Sequence, residues 1–232
     1  MRIAVTRPQA DGERTAAHLR ARGHDVLLAP LMQVELLKTD LGRGWAAVIV
    51  TSANAPDAID DAARAALNQL PVYAVGRRSA EAARAAGFAD VTSAGGDVRD
   101  LVQLIVERHA DAKGPLLYLA GEDRAADLIG ELAAHGIAAE MRVIYRAVTA
   151  PYPPTLTAAL KAGEVDAVLH FSKRSADNYL SGARAAGVTA QALAPRQLCL
   201  SAQIAVPLTE AGAAHVAVAA RPDEAALLDL VG

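Results

Sequence analysis

Short runs of Val, Ile and Leu recur along the chain, each bounded by Gly, Pro or Ser. They predict strands near residues 2–6, 25–29, 46–51, 71–75, 89–92, 115–119, 137–145, 165–171, 197–201 and 215–218. Between them apolar residues recur at spacings of three and four, as in Leu101, Leu104 and Ile105. These predict helices near 10–22, 54–65, 78–86, 97–109, 123–135, 155–162, 175–186, 203–211 and 223–231. Several of the helices finish at a glycine, as at Arg22-Gly23 and His135-Gly136. A glycine just past the last turn accepts the left-handed conformation that closes a helix. Regular strand–helix alternation predicts an α/β protein with parallel sheets, right-handed crossovers and helices on both sheet faces.

The pattern also repeats, in three blocks and in the same order. Ile3-Ala4-Val5-Thr6-Arg7-Pro8 through Gly23 is echoed by Leu116-Leu117-Tyr118-Leu119-Ala120-Gly121 through Gly136. Val48-Ile49-Val50-Thr51-Ser52 is echoed by Val168-Leu169-His170-Phe171-Ser172, and Tyr73-Ala74-Val75-Gly76 by Leu198-Cys199-Leu200-Ser201. The chain therefore reads as two similar α/β lobes, each three layers deep. Two extended stretches break the rhythm at matching places, Pro30 to Leu37 and Val143 to Pro151. They read as paired connectors between lobes. Crossing connectors would put the first segment with the C-terminal third, and tandem lobes fit the pattern equally well.

Composition narrows the class. The 232 residues are 53% hydrophobic, mostly Ala, with only 3% aromatic, which suits closely packed helix–sheet layers. The single cysteine, Cys199, lies in a predicted strand and reads as a buried, inert thiol. The opening Met1-Arg2-Ile3-Ala4-Val5 reads as a first strand and not as a secretory signal, so the cytoplasm is the expected location. No apolar run has the ~18 residues of a membrane span. A net charge of −3 argues against nucleic acid as a partner.

Open parallel sheets bind ligands at the C-terminal ends of their strands, so the chemistry is sought in the turns there. They include Thr6-Arg7-Pro8, Thr51-Ser52-Ala53-Asn54, Gly76-Arg77-Arg78-Ser79, Gly96-Asp97, Gly121-Glu122-Asp123-Arg124 and Phe171-Ser172-Lys173-Arg174. Most place a small polar residue at a helix start, where free N–H groups and the helix dipole favour anions. Arg7, Arg77, Arg78, Arg124, Lys173 and Arg174 add cations at the same level. Helix capping accounts for any single turn. Repeated on two lobes, the set predicts a cleft for a ligand with many carboxylates or phosphates.

Several chemistries lack their motifs. Neither G-x-G-x-x-G after the first strand nor a P-loop sequence occurs, which disfavours a nucleotide-dependent enzyme. The six histidines, at 18, 24, 109, 135, 170 and 215, show no metal-ligand spacing. His18, His24, His109 and His135 are expected to be solvated, and His170 to pack in the core or at its rim. No metal and no cofactor are expected.

Over nearly its whole length the chain resembles the uroporphyrinogen-III synthase family. The matching residues are Val5-Thr6-Arg7-Pro8, Val50-Thr51-Ser52-Ala53-Asn54-Ala55, Tyr73-Ala74-Val75-Gly76 with Ser79 and Gly87, and Gly96-Asp97 before Leu101. They continue through Gly121 with Arg124 and Gly136, Val143-Ile144-Tyr145, Phe171-Ser172 and Ala220-Arg221-Pro222. Two family turns are altered, to Ser201-Ala202-Gln203 and to Phe171-Ser172-Lys173-Arg174-Ser175, which casts doubt on the contacts of the C-terminal lobe.

The resemblance implies two lobes joined by a two-stranded linker, one made of residues 1–35 plus 151–232 and the other of 36–150. It implies a cofactor-independent lyase that cyclises and dehydrates hydroxymethylbilane with inversion of the last pyrrole ring. The hydroxyl departs to leave an azafulvene cation, a spiro intermediate forms, and the ring recloses inverted; unassisted closure gives the uninverted isomer I. A monomer in transient contact with hydroxymethylbilane synthase is implied as well. Tyr145 falls where the family has a tyrosine proposed to hydrogen-bond the departing hydroxyl, the alternative being a linker tyrosine packed between lobes. Thr51, Ser52, Ser79, Asp97, Arg124 and Ser172 fall on positions that line the family's cleft, with helix capping as the alternative for each. Arg7 and Lys173 complete the candidate substrate-binding set. The rival from another class is a noncatalytic two-lobed binding protein for an anionic metabolite.

Overall fold

The structure is a computed structural model that describes residues 1–109, 114–123 and 127–232. In chain order the first elements are β1 (Arg2–Val5), α1 (Gln9–Ala21), β2 (Asp25–Leu28), β3 (Met32–Leu36), β4 (Ala47–Val50), α2 (Asp61–Leu67), β5 (Val72–Ala74), α3 (Arg77–Ala85) and β6 (Val91–Ser93). Next come α4 (Val98–His109), β7 (Leu116–Gly121), α5 (Leu128–Ala134), β8 (Ala139–Thr149), α6 (Pro154–Lys161) and β9 (Ala167–His170). The last are α7 (Lys173–Ala185), α8 (Thr189–Leu193), β10 (Arg196–Cys199), α9 (Ala202–Glu210), β11 (Val216–Val218) and α10 (Glu224–Leu228). They form two compact units, Met1–Gln33 with Val148–Gly232, and Val34–Ala147.

The first unit holds a sheet ordered β11-β10-β9-β1-β2, and the second a sheet ordered β6-β5-β4-β7-β8-β3. Each strand of the first sheet meets its sequence repeat at the same place in the second: β11 with β6, β10 with β5, β9 with β4, β1 with β7 and β2 with β8. The two plans differ only in where the chain enters them, and in the added edge strand β3. Pairings within these five-strand sets are parallel. Both sheets are buried on both faces, as parallel sheets require. In the first, Ile3 and Val5 face a cluster with Leu19 and Leu227, while Ala4 faces one with Leu156 and Tyr179. In the second, Val48 and Val50 face Ala80 and Phe88, and Ala47 and Ile49 face Leu101 and Leu132.

Local chemistry sets the element ends. Gly23 and Gly136, equivalent positions of the repeat, close α1 and α5 at φ 83° and 74°. The helix expected over 54–65 is interrupted. Pro56–Ala58 form one 3₁₀ turn, then Asp60 turns extended and accepts a hydrogen bond from Ala63 N at 2.8 Å, starting α2 afresh. Helix α8 was not expected: its five residues are too few to show a period. The two connectors are the strands β3 and β8, neighbours in the second sheet. They are tied by a bidentate Arg146–Glu35 pair at 3.0 and 3.1 Å and by Leu37 N to Ile144 O at 2.9 Å.

His109 corrects the expectation of a solvated ring. It is 6% exposed, edge-on to Tyr73, because the last turn of α4 lies against the end of the core. His170 is fully buried and hydrogen-bonds Gln197 at 2.9 Å, and burial lowers its pKa to about 4. Burial likewise pushes the Cys199 thiol up to about 12, which keeps it protonated and unreactive.

Candidate active site

In each sheet two neighbouring strands lead their following helices in opposite directions along the sheet: β1 and β9 in the first, β7 and β4 in the second. At such a switch point the turns diverge and leave a crevice beyond the strand ends. Of the expected site residues, Thr51, Ser52 and Tyr145 are brought together at the switch point of the second sheet. Thr51 Oγ1 lies 2.8 Å from the Tyr118 hydroxyl, and Ser52 lies close enough to the Tyr145 phenol to draw its pKa down. Thr51 and Ser52, just beyond β4, are thus each met by a phenol, Tyr118 from β7 and Tyr145 from β8.

A fault in the sheet aims Tyr145. Ala120 pairs with Val143, but Gly121 pairs with Tyr145, so one extra residue of β8 bulges out. Successive strand residues ordinarily face opposite ways. Across the bulge Ile144 and Tyr145 both pack on the same cluster, Ile144 at 1% exposure and Tyr145 half-buried. Burial, the largest cause, raises the Tyr145 pKa above the usual 10.0; Ser52 beside it draws it down, and the neighbouring Tyr118 raises it. The phenol is therefore a proton donor at neutral pH. The sequence reading missed Tyr118, which is 5% exposed. Its one signal was a phenol inside the apolar run Leu116 to Ala120, where a buried hydroxyl needs a partner.

Ser79 and Asp97 sit elsewhere in the same unit. Ser79 is buried in the first turn of α3. Asp97 starts α4, accepting from Arg99 N at 2.8 Å and Asp100 N at 3.3 Å while its own N–H donates to Asp100 at 2.8 Å. Capping thus occupies its carboxylate. Arg124 lies outside the described residues. A pocket of about 700 Å³ in this unit is walled by apolar residues such as Leu36, Leu41 and Ile144 together with Lys38, Thr39, Asp40 and Asp60, and none of the expected site residues lines it. With two carboxylates against one lysine it does not suit a polyanion, so the strand ends are the better candidate.

Arg7, Ser172 and Lys173 cluster at the switch point of the first sheet. The Arg7 guanidinium lies 4.1 Å from the Phe171 ring centroid, donates to Thr15 at 3.1 Å and Glu224 at 3.0 Å, and pairs with Asp11 at 3.6 Å. Ser172 caps α7, accepting from Ser175 N at 3.1 Å. Lys173 is exposed in that helix, and the first turn there contains no acidic residue. The first turn of α3 is alike, with Arg77 and Arg78 and no acid. Cations there oppose the helix dipole, so a bound carboxylate would be doubly favoured.

The model of the family described as Uroporphyrinogen-III synthase HemD matches residues 13–229. The chain belongs to the uroporphyrinogen-III synthase family. Among solved structures it is similar to uroporphyrinogen-III synthetase from Helicobacter pylori, with 20% identity over 100% of this chain and 98% of that one and a TM-score of 0.64. It is also similar to a mutant uroporphyrinogen III synthase from Thermus thermophilus, with 20% identity over 100% and 97% and a TM-score of 0.50. At such identity these likenesses carry the two-lobed α/β fold. No curated protein sequence matches the chain. Membership makes this an enzyme family member of heme biosynthesis whose substrate is hydroxymethylbilane.

Proposed function

We propose that this chain cyclises hydroxymethylbilane to uroporphyrinogen III, with Tyr145 as the acid that releases the terminal hydroxyl. The observation that carries the residue assignment is the Tyr145 phenol, half-buried, beside Ser52 and brought by the bulge against Gly121 at the end of β7. Protonated at neutral pH as any phenol is, it gives its proton to the departing hydroxyl, which leaves as water. The proton lost from the attacked ring carbon when the inverted pyrrole regains aromaticity restores the phenol. Dehydration with cyclisation changes no oxidation state, which supports a lyase that works without a redox cofactor.

The eight carboxylates of the substrate are held by the strand-end turns: the helix starts at Ser79, Ser172 and Lys173, together with Thr51, Ser52 and Arg124, whereas Arg7 is engaged by Phe171, Thr15 and Glu224 and Asp97 by the cap of α4. Holding a flexible polyanion in one geometry is an orientation task, and exposed amides beside cations suit it. Units Met1–Gln33 with Val148–Gly232 and Val34–Ala147 act as the two domains of this enzyme. We place it in the cytoplasm as a monomer. The tendency of free substrate to close to isomer I supports direct delivery by hydroxymethylbilane synthase in a transient contact.

The test is a coupled assay. Purified protein receives hydroxymethylbilane made in place from porphobilinogen, and the oxidised products are separated by isomer. Isomer III from the wild type, and a sharp loss in folded Tyr145→Phe, is the expected result. Isomer I alone from folded wild-type protein sinks the enzymatic reading and leaves a binding protein.

A further inference from the structure

Gly121 is a glycine with no conformational reason to be one. It is the last residue of β7, and its φ lies outside the left-handed region that favours glycine. A Cβ placed on it would come within 2.7 Å of Cε2 and Cζ of Tyr145 and within 2.9 Å of the phenol oxygen. Carbon atoms pack at about 3.5–4.0 Å. The bare Cα is therefore demanded by the ring that lies on it. The bulge between Ala120 and Gly121 brings that ring there, and the Glu122 N–H fixes the strand beside it by donating to Tyr145 O at 2.9 Å.

We propose that Gly121 is a positioning residue: it is the floor on which the Tyr145 phenol rests, and any side chain there tilts the hydroxyl away from Ser52 and from the departing group. The proposal rests on the reading of Tyr145 as the acid. A methyl group at this point displaces the ring by rotation, since the ring end moves more easily than two strands. Displacements of about 1 Å at a reacting group cost roughly a hundredfold in rate.

The experiment is a double-mutant cycle read in both turnover and melting temperature. Gly121→Ala is expected to lower kcat roughly a hundredfold, with KM little changed and isomer III still the product formed. In the Tyr145→Phe background the same alanine is expected to cost no further turnover, because no hydroxyl is left to misplace. Wild-type kcat in Gly121→Ala, or an equal further loss in the Tyr145→Phe background, overturns the proposal. Tyr145→Ala removes the ring altogether, so a melting-temperature drop or folding failure in Gly121→Ala must be reversed in Gly121→Ala/Tyr145→Ala. Failure of that rescue also overturns it. Full turnover in Tyr145→Phe removes the acid role and this proposal together, whereas a slow Tyr145→Phe beside a fast Gly121→Ala removes this proposal alone.

Discussion

In both sheets a threonine just beyond a central strand ties that strand to its neighbour across the switch point. Thr6 Oγ1 donates to Leu169 O at 2.9 Å in the first, and Thr51 Oγ1 meets the Tyr118 hydroxyl at 2.8 Å in the second. The next residue separates the two. Arg7 turns inward onto Phe171, Thr15 and Glu224, with side-chain exposure of 15%. Ser52 instead lies beside a half-buried phenol from a third strand and draws its pKa down. The two threonines tie matching switch points from opposite sides, since β1 corresponds to β7 and β4 to β9, and the partner of the residue that follows decides whether its turn is filled by structure or left for chemistry.

The contrast breaks first at Tyr145. Tyr145→Phe should lower kcat by roughly 10²–10⁴ without moving the melting temperature much, measured by isomer III formation and thermal melts. An unaffected kcat would make the two sheet ends alike. Arg7→Ala should act the other way, costing about 2 kcal/mol of stability with turnover per folded molecule retained. A raised KM at full stability would return Arg7 to the substrate-binding set.

Acid should loosen the first unit through His170. Burial lowers its pKa from 6.5 to about 4, so between these values the unfolded chain binds the extra proton. Its contribution to stability is complete above 6.5 and is lost as pH falls toward about 4. Urea unfolding at neutral pH and near about pH 5 should show this slope, and His170→Phe should flatten it. Ser172→Ala removes the α7 cap and should cost about 1 kcal/mol of stability. The smallest effect is at Lys173: Lys173→Ala should raise KM by at most about fivefold, as for an exposed charge worth about 0.2–1 kcal/mol, with the rise shrinking in salt.

Much of the fold was legible because repetition is a sequence property. Block for block, the repeat assigned strands that the two sheets place in the same order, and glycines such as Gly23 and Gly136 marked helix ends through local backbone chemistry. What failed was non-local. Nothing before or after His109 says that Tyr73 will cover it. The break at Asp60 was local, but an alanine-rich run reads as helix through a cap. In the site, Thr51, Ser52 and Tyr145 could be named from family motifs, whereas Tyr118 was hidden as one more large residue in an apolar strand. The bulge that aims Tyr145 depends on how β8 registers against β7, and register is decided only when the strands meet.

The interleaved chain path also dictates an order of assembly. Every strand of the second sheet comes from one continuous stretch, β3 to β8. Strand β1 must wait for β9, its partner through Ile3 and Ala167, which emerges only after that stretch has been made. Closing so long a loop is slow unless its interior is already compact. During synthesis the second unit should therefore fold first and serve as the clasp that brings β9 back to β1. Pulse-labelled refolding should find amides of β4 and β7 protected before those of β1 and β9.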